Sequence, residues 1–405
     1  MKKASLLISL LLSVLCLLAQ TSKKDSLIYK SPKSGLYQEI QRETKPLNIV
    51  PAKKHMALDL TGKDLPMDTT RYQRVWNNNP VCQGESGTCW CFAATSFLEA
   101  ESFRINGQKI KLSEMFFVYH EYLERALQFV ESRGDITFDE GSEASSVPLL
   151  LKKYGAMPLS AYQGKPIKNK YHHHREMIAE MKTFLTNIKE TQNWNPNLVL
   201  QTITSIMDHY MQAMPATFDY RGKTYTAKSF AEEVVKLRPD DYFNFMSNME
   251  QTQNQRTELI EDDNWRHFDE YYNVPLNEFF NVLTNALQNG YTACICGDIS
   301  EPGFDREQGI GMIPNWDIPS NAIDENARQY RLTNKTTTDD HCMHIVGVTW
   351  HNGSYWFLTK DSNASAFDAP VKGFRFIHED YIRLKMMNIQ VHKLAARPVL
   401  DKIIK

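Results

Sequence analysis

The sequence predicts an α+β fold, with helices gathered in the amino-terminal half and an antiparallel sheet in the carboxy-terminal half. Three observations carry this. Strongly apolar helical stretches run between Cys89 and Tyr154. After Gly290 the chain switches to short β-branched and aromatic runs. Asn352-Gly353, between two of those runs, is a hairpin signal. Helices first and strands later are the mark of α+β rather than of alternating α/β units.

Composition bounds the function classes. The chain has 405 residues, 42% apolar and 23% charged, which is ordinary for a globular protein with ample core. Lys plus Arg total 46 and Asp plus Glu total 48, a net charge of −2. That balance lacks the basic excess of a nucleic-acid binder, so no nucleic-acid partner is expected.

In chain order, residues 1–20 read as a signal peptide. Lys2 and Lys3 precede a mostly apolar run from Leu6 to Ala19, with cleavage placed near Ala19. The run is short for a membrane span and no second one follows, so no membrane span is expected after cleavage. A periplasmic or extracellular location follows. Cys16 raises a lipoprotein reading, set aside because the preceding Leu15 is large where such signals carry a small residue. Polar, lysine-rich residues 21–55 read as a linker or arm. Residues 56–164 form a helical half: a helix from near Cys89 through Phe103 stops at Asn106-Gly107, a second runs from Ser113 to about Glu131, and a third over Val147–Tyr154 ends at Gly155. Residues 165–290 read as a helical insertion anchored by Trp194, Tyr210, Phe243, Trp265 and Tyr271, its last helix running from about Leu276 to Leu287. In 291–405, strands are expected over Tyr291–Gly297, Cys342–Trp350, Tyr355–Thr359, Gly373–His378 and Met387–His392, with 299–340 a long irregular loop.

Seven cysteines stand at 16, 82, 89, 91, 294, 296 and 342. Cys294 and Cys296 lie in a buried strand and read as small apolar residues. No disulfide framework is expected.

The chemistry-bearing stretch is Gln83-Gly84-Glu85-Ser86-Gly87-Thr88-Cys89-Trp90-Cys91-Phe92-Ala93. A cysteine that opens an apolar helix after a glycine-containing turn meets free backbone N–H groups and the positive end of the helix dipole, which favour an anionic sulfur. Gln83, across the turn, can offer its amide N–H to an oxyanion formed at a carbonyl that Cys89 attacks. On residue type alone, a buried cysteine starting a core helix is the favoured reading of the stretch. A nucleophile also needs a base. His341 stands at the mouth of the apolar run Cys342-Met343-His344-Ile345-Val346, and Asp361 ends the neighbouring run, placed to accept from the imidazole. His344 is the rival and reads as a core histidine; Asn363 is the next candidate for the orienting role.

Gln83 to Ala93, as Gln-x-x-Ser-Gly-x-Cys-Trp-x-Phe-Ala, resembles the nucleophile segment of papain-clan cysteine peptidases, and more closely that of the bleomycin hydrolase and aminopeptidase C family. Asp139-Glu140-Gly141, Lys153 to Pro158, Tyr272 to Phe279, Asn285 to Tyr291, Gly297 to Glu301 and His341-Cys342-Met343 are similar to further family segments, in order, over roughly residues 75–395. The resemblance implies a papain-like fold, Cys89 as nucleophile, His341 as general base and acid, Gln83 as oxyanion donor and Gly141 as a lining residue of the substrate cleft. It implies peptide substrates, no cofactor, no metal and a homo-oligomer, a closed hexamer. Two departures stand out. Papain-like enzymes carry Asn-Ser-Trp-Gly where this chain reads Asp361-Ser362-Asn363-Ala364. The family's aminopeptidase action places the chain's own carboxy terminus in the cleft, and Arg397–Lys405 does not match that arm. The expectation is an exported thiol peptidase, first an aminopeptidase and second an endopeptidase. A catalytically inactive peptide-binding protein is the rival from another class.

Three other features are read as structural. His172-His173-His174 is taken as a solvated loop rather than a metal site. Glu261-Asp262-Asp263 is taken as a solvated face. Cys89-Trp90-Cys91 lacks the spacing of a redox motif.

Overall fold

The computed structural model describes residues 24–32, 35–44 and 54–403. The expected signal peptide over 1–20, Cys16 included, lies outside the described residues.

The Cys89–Asn106 helix is buried along most of its length, from Trp90 to Ser102. Its sequence Trp90-Cys91-Phe92-Ala93-Ala94 is apolar on every face, as a central helix must be. The Glu114–Glu131 helix starts where Ser113 caps it, the side-chain oxygen accepting from the Phe116 N–H at 3.1 Å. The Ser146–Tyr154 helix ends at Gly155.

Against the Cys89 helix lies a large sheet of mixed direction. Its middle is antiparallel: Ser354–Lys360 pairs with His341–His351, which pairs with Ala293–Gly297, which pairs with Met386–His392. The Asn352-Gly353 turn closes the first of these pairs. Two pairs are parallel, Ile310–Gly311 with Phe374–His378 and Tyr242–Met246 with Tyr271–Asn273.

Alternation along these strands divides two cores. Cys294, Cys296 and Cys342 join the Cys89 helix on one face. Ala293, Ile295, Met343 and Ile345 join the Leu276–Gln288 helix on the other, together with Val399 and Leu400 of the Arg397–Ile403 helix. The Arg397–Ile403 helix therefore packs on the sheet face away from Cys89.

Four expectations are corrected. Residues 165–290 are not helical throughout. Helices Arg175–Thr191 and Pro196–Met211 are followed by a small hairpin and by strands that extend the main sheet. Phe243 and Tyr271, read as helix anchors, are strand residues, because aromatic side chains fit a half-buried pleated surface. The 299–340 loop contains a helix, Glu325–Thr333, capped by Asp324. The described parts of 21–55 are not a free linker: Leu27–Lys30 pairs with His55–Leu58, and the Leu36–Thr44 helix docks on the body, its first N–H bonded to the Asp368 carboxylate at 2.6 Å. Finally, Cys296 and Cys342 form a disulfide. They are 46 residues apart, and only strand register sets them opposite one another. Cys82, Cys89, Cys91 and Cys294 are free thiols.

Candidate active site

Cys89 is the first residue of its helix and is half-buried. The turn that leads into it is tied down on three sides. Gln83 N–H donates to the Ser362 carbonyl at 2.9 Å. Gly84 adopts φ +70°, and a Cβ there would run into the His172 backbone, so this position demands glycine. Glu85 N–H donates to the His172 carbonyl at 2.9 Å, and His174 N–H returns to the Glu85 carbonyl at 3.1 Å. The histidine triplet is thus no solvated loop. It braces the turn before the cysteine, and burial pushes His174 down to about 3.

Gln83 is 7% exposed. Its Oε1 accepts from the Ser362 hydroxyl at 2.6 Å, which fixes the amide so that Nε2 faces the turn and donates to the Ser86 carbonyl at 2.6 Å. One N–H of that amide remains.

His341 opens the strand that packs on the Cys89 helix. Its Nε2–H donates to Asp361 Oδ1 at 2.8 Å, and the ring also hydrogen-bonds Cys89. With Nε2 taken by the carboxylate, Nδ1 is the nitrogen left for the sulfur. Burial alone would lower the His341 pKa, but the Asp361 carboxylate and the Cys89 sulfur outweigh it and push it up to about 10.

Asp361 is buried too, and burial opposes its charge. His341 and Arg375 override that and hold the carboxyl well below the usual carboxylate range. Arg375 Nε donates to Asp361 Oδ2 at 2.9 Å, and the Asn363 N–H donates to Oδ1 at 2.8 Å. Arg375 is fully buried, its remaining donors on the Ser365 hydroxyl and the Arg306 carbonyl. Sequence reasoning missed Arg375. The signal was present: a charge inside the otherwise apolar strand Phe374-Arg375-Phe376-Ile377 needs a buried partner. Asn363 turns its side chain to Ser365, not to His341. His344 lies against Phe97 of the Cys89 helix, its Nδ1 on the Ser96 hydroxyl at 2.8 Å. Burial holds it neutral.

Gly141 stands near the start of the helix, since the Trp90 indole N–H donates to the adjacent Glu140 carbonyl at 3.2 Å. Buried Arg125 pins this loop by donating to the carbonyls of Thr137, Asp139 and Gly141. A Cβ on Gly141 would collide with the Asp263 carboxylate. The Glu261–Asp263 run is therefore not simply a solvated face; Asp262 is exposed, whereas Glu261 and Asp263 are partly buried. A cavity of about 360 Å³ along the turn is lined by Gln83 to Gly87, Glu140, Asn363 and the docked helix residues Tyr37, Ile40 and Gln41. Among the described residues no group of three or more His, Cys, Asp or Glu side chains is arranged to hold a metal ion. No described helix is long and apolar enough to cross a membrane.

The fold is consistent with the papain-like α+β class that the sequence resemblance implies. PepW from Lactobacillus rhamnosis HN001 shares the fold, with a TM-score of 0.62 at 16% identity over 82% of this chain and 83% of that one. A structure from work on the mite allergens Blo t 1 and Der p 1 aligns over 91% of this chain and 86% of that one, at 13% identity and a TM-score of 0.39. No protein-family model matches the chain, and no curated protein does.

Proposed function

We propose that the protein is an exported thiol peptidase. The observation that carries this is one hydrogen-bonded line from buried Arg375 through buried Asp361 and His341 to half-buried Cys89. The Cys89 sulfur attacks a peptide carbonyl while His341 Nδ1 holds the proton. The Gln83 amide N–H and the Cys89 backbone N–H steady the oxyanion. His341 gives the proton to the leaving amine, which departs with the new amino terminus. Water then attacks the thioester, His341 takes its proton, and the acid product leaves as the thiol re-forms.

The Cys296–Cys342 disulfide supports an oxidising compartment, in line with export. The aminopeptidase reading, like the hexamer, comes from the family resemblance. The Arg397–Ile403 helix packs on the far face of the sheet. Sedimentation of the mature chain tests the hexamer.

Labelling tests the nucleophile. Iodoacetamide at pH 6 is expected to modify Cys89 first, because burial pushes the thiols of Cys82, Cys91 and Cys294 up. Cys89→Ala is expected to cost on the order of 10⁶-fold in kcat while leaving the circular dichroism spectrum unchanged. Preferential labelling of Cys91, or hydrolysis by the Cys89→Ala protein within about tenfold of the parent, would sink the assignment.

A further inference from the structure

The Leu36–Thr44 helix of the amino-terminal arm is tied to loops on both sides of the turn before Cys89. On one side, the Leu36 and Tyr37 N–H groups donate to the two Asp368 carboxylate oxygens at 2.6 and 3.4 Å. Gly35 has no room for a Cβ, which would collide with the same carboxylate. Asp368 belongs to the loop that follows Asp361 in the sheet half. On the other side, Glu39 accepts from the Lys170 ammonium and, at 3.1 Å, from the Tyr171 hydroxyl. Glu43 accepts from the Lys170 N–H at 3.2 Å. Lys170 and Tyr171 lead into the histidine triplet that braces the turn. Between these ties Ile40 is 2% exposed.

Between this helix and the turn lies the cavity of about 360 Å³. Small-ligand pockets span about 300–1,000 Å³, so the space suits a short piece of peptide. Tyr37, Ile40 and Gln41 line it from the helix, and Gln83 lines it from the turn. Gln83 carries the oxyanion N–H in the reading above, so the cavity adjoins the attacked carbonyl. Asn363 lines it as well. The Asn363 N–H holds the Asp361 carboxylate that orients His341. His341 hands its proton to the leaving amine, which puts the Asn363 wall on the leaving-group side. Where papain-like enzymes carry the tryptophan of Asn-Ser-Trp-Gly, this chain has the smaller Asn363, and the room that a tryptophan would take is left open. The lining is mixed. Tyr37 and Ile40 suit an apolar side chain, and the Gln41 and Asn363 amides carry the donors and acceptors that a peptide backbone needs.

We propose that the Leu36–Thr44 helix is a strap that closes the leaving-group end of the cleft, forming with the turn a subsite for a short carboxy-terminal segment of the substrate. This rests on the peptidase reading above and adds to it the substrate class: peptides with few residues beyond the scissile bond. A short segment fits inside the cavity and gains the contacts of Tyr37 and Ile40. A long one must displace a helix tied on both sides. The strap determines specificity and stands outside the line from Arg375 to Cys89. Cleavage near Ala19 leaves it on the mature chain.

The test is a series of peptides with one amino-terminal part and carboxy-terminal parts of increasing length, the cleaved bond being located by mass spectrometry. The full parent chain is expected to lose about tenfold or more in kcat/KM from the shortest carboxy-terminal part to the longest. Asp368→Ala, which cuts the ties of the Leu36 and Tyr37 N–H groups, should bring that ratio to within about threefold. Glu39→Ala, an exposed change that cuts ties on the other side, should move it the same way even if Asp368→Ala folds poorly. Tyr37→Ala should raise KM for the short peptides about threefold with kcat unchanged. Equal rates at every length, a limit that follows the amino-terminal part instead, or a ratio unmoved by both untying variants overturns the strap. A gain by those variants that is equal at every length makes the helix a plain cover and overturns the subsite. Binding of the same series to the full chain carrying Cys89→Ala is read separately by calorimetry. If the parent cleaves no peptide while short ones bind about tenfold tighter than long ones, and Asp368→Ala erases that difference, the peptidase reading fails and the strapped pocket stands.

Discussion

Two buried acidic regions flank the same sulfur, and they are built in opposite ways. Asp361 has a cation on each carboxylate oxygen, His341 on one and Arg375 on the other. Glu143 and Asp339 have each other and the neutral Asn388 amide. The residue chemistry is the same and the burial similar, yet one carboxyl is held ionised and the others are driven toward their neutral form. Neighbouring charge, not burial, decides which. A carboxylate that must orient an imidazole at every working pH needs its own counter-ion.

The largest effect expected from breaking this contrast is at Arg375. Arg375→Gln leaves the Asp361 charge buried with one partner fewer and is expected to cost about 3–5 kcal/mol in denaturant unfolding. A loss below about 1 kcal/mol would show that Arg375 does not carry the Asp361 charge. Next comes Asp361→Ala, which removes the orienter of His341. A fall of roughly 10²- to 10³-fold in kcat/KM is expected, and parental activity would move the third role elsewhere.

On the unmatched side the sign reverses. Glu143 has its pKa raised from 4.5 to about 8. The unfolded chain releases that proton at lower pH than the folded one, so this group drains stability as pH rises from about 4.5 to about 8. Glu143→Gln should flatten that decline in pH-dependent unfolding, and an unchanged slope would contradict the crowding of these carboxyl groups.

The smallest and sharpest test is Asp361→Asn. The amide keeps an acceptor for His341 Nε2–H and loses the charge. His341, raised from 6.5 to about 10 in the parent, contributes stability that is complete below 6.5 and lost as pH climbs through about 10. The variant should keep much of its activity, lose part of that stability window, and show the upper limb of its pH–rate profile at lower pH. An upper limb that stays in place would show that the Asp361 charge does not raise His341.

Several features were legible because their causes are local. Asn106-Gly107, Ser113 and Gly155 bound their helices within a residue or two, since caps and breakers act over one turn. His341 opens its strand and Asp361 follows the next one, because a short hairpin fixes their register. Tyr242–Met246 was not legible as a strand. Its partner Met386–His392 lies some 140 residues away, and an aromatic run fits either period until a partner appears.

The sequence by itself determined the class of fold, the order of its halves and the pairing of a helix-opening cysteine with a strand-opening histidine. Each is written in periodicity and turn chemistry within a few neighbouring residues. Tertiary structure alone decided that Cys296 meets Cys342, that Arg375 neutralises Asp361, that His172 to His174 brace the turn before Cys89, and that Asp263 settles over Gly141. Those depend on which distant surfaces end up facing each other in a medium of low polarity. There, charge and hydrogen-bond balance are settled by partners that chain spacing does not reveal.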